Sequence, residues 1–96
     1  MFVIPLDAGV NQQLFDVKLG DNFITFRLRW RELINQWSCD LLREGQLLAA
    51  GIMLTPGVLL TKTNNLDLGD LIMTGEHPTL DNLGIDNKLI WIKFKQ

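Results

Sequence analysis

Ninety-six residues are enough for one domain, and 47% of them are hydrophobic, an ordinary fraction for a chain that folds around a core. Eleven acidic residues outweigh nine lysines and arginines, for a net charge of −2 and a pI near 5.1, which argues against a dedicated nucleic-acid binder with its basic face. The single cysteine excludes an internal disulfide and any multi-cysteine metal site, and fits a reducing compartment.

The mean hydropathy of +0.12 is high for a free small monomer, so part of the apolar surface is expected in an interface. The N-terminal MFVIPLDAG has neither a charged n-region nor a long apolar core, and does not read as a signal peptide. No apolar run approaches the roughly 20 residues needed to span a bilayer, so neither a membrane nor a specific nucleic acid is an expected partner.

Taken in chain order, Phe2 to Leu6 is a short apolar run. Pro5 limits it to an edge strand or an extended arm. Within residues 1–8 this is the best candidate for an interface arm, with Phe2 and Ile4 as its contact residues. Asp7, Ala8 and Gly9 read as a turn. From Gln13 to Leu19, Phe15, Val17 and Leu19 alternate with Asp16 and Lys18, giving a strand with one wet face. Gly20, Asp21 and Asn22 supply a tight hairpin turn.

The next arm, NFITFRLRW, puts Ile24, Phe26, Leu28 and Trp30 on one face and Phe23, Thr25, Arg27 and Arg29 on the other. After RELINQ, the stretch WSCDLL alternates Trp37, Cys39 and Leu41 with Ser38 and Asp40. Period two with aromatic and β-branched residues marks half-buried antiparallel strands, and a pairing of Trp30 with Trp37 would be the largest apolar anchor in the chain. The connection from Arg31 to Gln36 is open to two readings. Trp30, Leu33, Ile34 and Trp37 stand at helical spacing, but strong strand patterns on both sides favour a loop.

Arg43 to Gln46 is a turn, and Leu47 to Leu54 is a further strand in which Gly51 marks a bulge or a close approach. Val58, Leu59 and Leu60 begin either a small helix or another strand. Lys62 to Asn65 read as a polar loop. Asp70 to Thr74 is a short strand closed by Gly75. Glu76 to Asp86 is the longest irregular segment and is expected to cross the outside of the fold. The last strand runs from Lys88 to Phe94, with Leu89, Trp91 and Lys93 on one face and Ile90, Ile92 and Phe94 on the other. Apolar residues on both faces indicate a central strand, or one face covered by another subunit. Six to eight short strands in one domain, residues 1–96, define an all-β class, a small antiparallel barrel or sandwich.

Catalytic chemistry finds no footing. Cys39 falls between Trp37 and Leu41 on an inward face, where a thiol is inert. His77 is the only histidine and sits in a proline-containing loop without a second ligand. Asp67, Asp70, Glu76, Asp81 and Asp86 are too spread for a calcium loop. There is no phosphate loop and no nucleophile elbow. No cofactor is expected, and the runner-up reading is a β-barrel with an apolar pocket for a small ligand. Arg27, Arg29 and Arg31 alternate and so project from one strand face, either as a solvated face or as a patch for phosphate or an acidic partner. Trp30, Trp37 and Trp91 are the expected core anchors.

The order of these landmarks resembles the baseplate plug proteins of contractile-tailed phages, a family first described in a cyanophage tail. The resemblance rests on FRLRW, a short loop, WSCDLL, REGQ, LLAAGIML, LDLGDLIMTGE, DNLGID and KLIWIKF in that order, over roughly Phe15 to Phe94. The chain departs from the family by carrying Arg31 where an asparagine usually follows the first aromatic. The resemblance implies a non-enzymatic virion component, made in the cytoplasm of the host bacterium. It would sit at the axial end of the tail tube near the hub and spike, and would close the lumen until the tail contracts. It also implies hub, spike and tape-measure proteins as partners, and a homo-oligomer in which a trimer would match the threefold hub.

Overall fold

The computed structural model describes residues 2–61 and 69–92. Met1, the 62–65 loop, Leu66, Asp67, Leu68, Lys93 and Phe94 lie outside the described residues. Seven strands form two antiparallel sheets: β1 (Phe2–Ile4), β2 (Gln12–Leu19), β3 (Asn22–Arg31), β4 (Gln36–Arg43), β5 (Gln46–Met53), β6 (Asp70–Gly75) and β7 (Asn87–Ile92). One sheet is the meander β2-β3-β4-β5; the other has the order β1-β7-β6. The sheets share one core and do not close on each other, so of the two expected architectures the sandwich is the one adopted.

The meander follows directly from the alternation. Ile24, Phe26 and Leu28 of β3 and Trp37, Cys39 and Leu41 of β4 are all buried. The two-residue turn Glu44-Gly45 joins β4 to β5 with φ of 52° and 79°, the pair of left-handed residues that a type I′ hairpin needs. Opposite Asp40 the ladder slips: Cys39 pairs with Ile52 and Leu41 with Ala49. Two residues of β5, Ala50 and Gly51, thus face one of β4, and the bulge expected at Gly51 is present. The connection between β3 and β4 is a loop whose middle tightens into a single 3₁₀ turn, Glu32–Ile34, closed by Asn35 at φ 54°. Its Leu33 is fully exposed, so the helical spacing there does not serve burial.

The second sheet joins the two ends of the chain. β7 is its central strand, with Phe2 opposite Trp91, Val3 opposite Ile90 and Ile4 opposite Leu89. Ile4 is therefore only 2% exposed. This corrects its reading as an interface residue: its partner lies at the far end of the sequence, and their pairing puts Ile4 in the core. Phe2 and Val3 stay exposed. Residues 56–60 form neither helix nor strand but run along the free edge of β6. Pro56 bridges Met73, Leu59 bridges Ile72, and the Leu60 amide donates to the Leu71 carbonyl at 2.7 Å. That cover shields the edge from foreign strands.

The 76–86 segment runs largely exposed, as expected, but is anchored by Pro78 and Leu83, which are fully buried. Its polar residues hold it there. Asn82 Oδ1 accepts from the Thr79 amide at 2.6 Å and from Asn87 Nδ2 at 3.1 Å. Asn87 Oδ1 accepts from the Gly84 amide at 2.8 Å. Backbone groups beside the buried anchors need partners, and these two asparagines supply several of them.

Candidate contact surfaces

Trp37 is completely buried and lies 5.7 Å from Trp30 between ring centroids, tilted by 57°. Trp91 is 9% exposed, and Trp30 is half-buried against the core, so all three tryptophans contribute to the core. The indole N–H of Trp37 donates to the Thr79 carbonyl at 3.0 Å. His77 Nε2 donates to the Asn35 carbonyl at 3.0 Å. Together these bonds tie the β3–β4 connection and the start of β4 to the 76–86 segment, which gives His77 a positioning task. No group of three or more potential metal ligands exists among the described residues.

Cys39 is buried at 1% exposure. Burial, with the neighbouring Asp40 charge adding to it, pushes the thiol far above its ordinary range. The thiolate is the reactive form. Ellman's reagent should therefore find no accessible thiol in the native protein and one per chain in denaturant; fast labelling without unfolding would contradict the buried placement.

Asp70 is also buried. Its Oδ1 accepts from the Thr61 amide at 3.0 Å, from the Thr61 hydroxyl, and from the Leu71 amide at 2.8 Å. Three donors satisfy this buried oxygen and fasten the chain at Thr61 to the start of β6. The cavity beside it, lined by Leu19, Ile24, Leu41, Thr61, Asp70 and Trp91, measures about 10 Å³. Ligand pockets run to roughly 300–1,000 Å³, so this interior cavity does not suit a ligand-binding barrel.

The outer faces of the two sheets differ. On the four-stranded sheet the register aligns Gln12, Arg29, Ser38 and Met53 across all four strands, with Leu14, Arg27 and Asp40 in the next row. Arg27 pairs with Asp40 at 2.8 Å, and the other oxygen of Asp40 accepts from the Gly51 amide at 2.8 Å. Burial pushes this carboxyl up, but the Gly51 amide and the guanidiniums of Arg27 and Arg29 outweigh it and hold it below the ordinary carboxylate range. Asp40 thus satisfies a bulge amide and neutralises Arg27 together. The Arg31 Nε donates to Ser38 Oγ at 3.1 Å. The Arg29 guanidinium makes no hydrogen bond or ion pair among the described residues. The sequence places three arginines on one face; the structure leaves two of them without a carboxylate partner there.

On the three-stranded sheet, cross-strand pairing lines up Val3, Ile90 and Ile72, with Leu59 beside Ile72. Val3 and Leu59 are nearly half exposed, as is Ile92 at the end of β7. This sheet therefore carries aliphatic residues on both faces, the pattern of a surface that meets another molecule.

The described residues thus form a two-sheet domain with one buried core and two dissimilar outer faces. Over residues 1–94 the sequence matches the model of the family described as cyanophage baseplate Pam3 plug gp18. The chain belongs to this family of phage baseplate plug proteins, a structural component of the tail baseplate that associates with other baseplate proteins. No curated protein matches it significantly.

Proposed function

We propose that the chain closes the end of a contractile phage tail tube, beside the hub and spike, and is displaced when the tail contracts. The observation that carries this reading is the family match over residues 1–94. Supporting it, the domain packs its interior with apolar side chains and still leaves others, such as Val3 and Leu14, exposed beside charged ones, as steric occlusion by contact requires. Several copies, most simply three, would surround the tube axis beside a threefold hub. Its net charge of −2 would avoid trapping the genome as it passes. Phe2, on the exposed edge of the three-stranded sheet, belongs to the contact surface together with Val3.

Electron cryomicroscopy of virions before and after contraction tests this. The expected result is density for this chain at the distal mouth of the tube in extended tails, and its loss from that position in contracted ones. Density only on fibres or the baseplate periphery, or a chain still blocking the tube after contraction, overturns it.

A further inference from the structure

Two arginines on an otherwise acidic chain need an explanation that stability does not supply. Of the acidic residues on the outer face of the four-stranded sheet, Asp40 is taken by Arg27 and the Gly51 amide, and Asp16 accepts from the Thr25 hydroxyl at 2.6 Å. Arg29 and Arg31 are exposed and find no carboxylate within ion-pair distance among the described residues. Arg31 is nevertheless oriented. Its Nε bonds Ser38 Oγ at 3.1 Å, and that buried hydroxyl in turn donates to the Arg29 carbonyl at 3.4 Å. Around the pair stand apolar side chains open to solvent: Leu14 at 71% and Met53 at 37% exposure. Oriented arginine beside exposed aliphatic side chains is the composition of a protein–protein contact.

We infer that this face docks an acidic segment of a neighbouring baseplate protein, with Arg29 and Arg31 as its two charged anchors; the inference rests on the baseplate reading above. The two arginines alternate along one strand, which sets them about 7 Å apart. The matching partner is an extended segment with carboxylates on alternate residues and apolar neighbours to lie on Leu14 and Met53. A protein is favoured over a nucleic-acid backbone for two reasons. The whole chain is negative, so its long-range field repels a polyanion. Two guanidiniums without a carboxylate, among aliphatic side chains, also lack the continuous basic track that phosphates require.

The test measures binding of the purified chain to the hub and spike proteins of the same phage, at low and high salt, with short duplex DNA as a parallel probe. Arg29→Glu with Arg31→Glu should weaken the baseplate complex about a hundredfold. Arg29→Lys with Arg31→Lys should retain it to within about tenfold. Lys18→Glu, a charge reversal elsewhere on the same sheet, should change it little. Near-UV circular dichroism confirms that each variant is folded. The inference is overturned if the double reversal binds as the parent does, if Lys18→Glu costs as much, or if DNA binds through Arg29 and Arg31 instead. A salt-sensitive oligomer of this chain that the double reversal dissociates would reassign the face to a second copy, and also overturns it. If the parent chain binds neither hub nor spike, the baseplate reading itself fails, a result distinct from unchanged binding by the variant.

Discussion

Trp37→Ala should cost about 3–5 kcal/mol of unfolding free energy, the usual range for truncating a fully buried tryptophan. Three losses combine at this position. The ring is completely buried, so its removal opens a void in the centre of the larger sheet. The aromatic contact with Trp30 at 5.7 Å disappears. The Thr79 carbonyl loses its indole donor, and with it one of two bonds from the β3–β4 connection and the start of β4 to the 76–86 segment. A domain of this size is stable by only about 5–15 kcal/mol, so the melting temperature should fall by roughly 15–30 °C. Trp37→Phe separates the contributions, because it keeps a ring and deletes only the N–H; its cost should be clearly smaller. Urea unfolding followed by circular dichroism measures both. A loss below about 1 kcal/mol for Trp37→Ala would show that the anchor lies elsewhere.

Gly75→Ala and Gly69→Ala should be comparably severe, for a steric reason. Gly75 ends β6 at φ 96°, and a Cβ there would stand 2.8 Å from the Asn87 Cα and closer still to the Asp86 carbonyl. Gly69 has φ 139°, and its Cβ would meet the Ile92 carbonyl and come within 2.8 Å of Trp91 Nε1. In both cases most of the obstructing atoms are backbone of, or next to, β7, and backbone does not rotate out of the way. A loss of roughly 3 kcal/mol or more is expected for each, from strain and steric conflict together. Gly45→Ala is the control. Its φ of 79° is equally unsuited to a side chain, but nothing lies within 4 Å of the added atom, so it should cost about 1 kcal/mol. If the three variants melt alike, conformation rather than space sets the cost.

Local patterns were readable in the sequence; distant encounters were not. The alternation from Ile24 to Trp30 and from Trp37 to Leu41 identifies two strands and a shared face without any knowledge of the rest. Ile4 was misread because its partner, Leu89, lies at the other end of the chain, and no local period announces that pairing. The anchors of the 76–86 segment, Pro78 and Leu83, could not be read in advance because they follow no repeat, and their burial depends on contacts that exist only once both sheets are assembled. The same holds for the candidate site. The spacing of Arg27, Arg29 and Arg31 gives their common face, but which of them is neutralised depends on the β3–β4 register and on the bulge at Gly51.

The pairing of β1 with β7 also orders events in time. The β2–β5 meander is built from consecutive hairpins that close short loops, whereas β1 must find a strand made almost a full chain length later. The entropy of closing a loop rises with the residues it contains, and contacts between distant segments slow folding. During synthesis the meander is able to form while Phe2, Val3 and Ile4 still wait for β7 to leave the ribosome. The aliphatic row of Val3, Ile90 and Ile72 therefore comes into being only after β7 has been made. A neighbour that reads this row would meet it only on chains in which β1 has found β7.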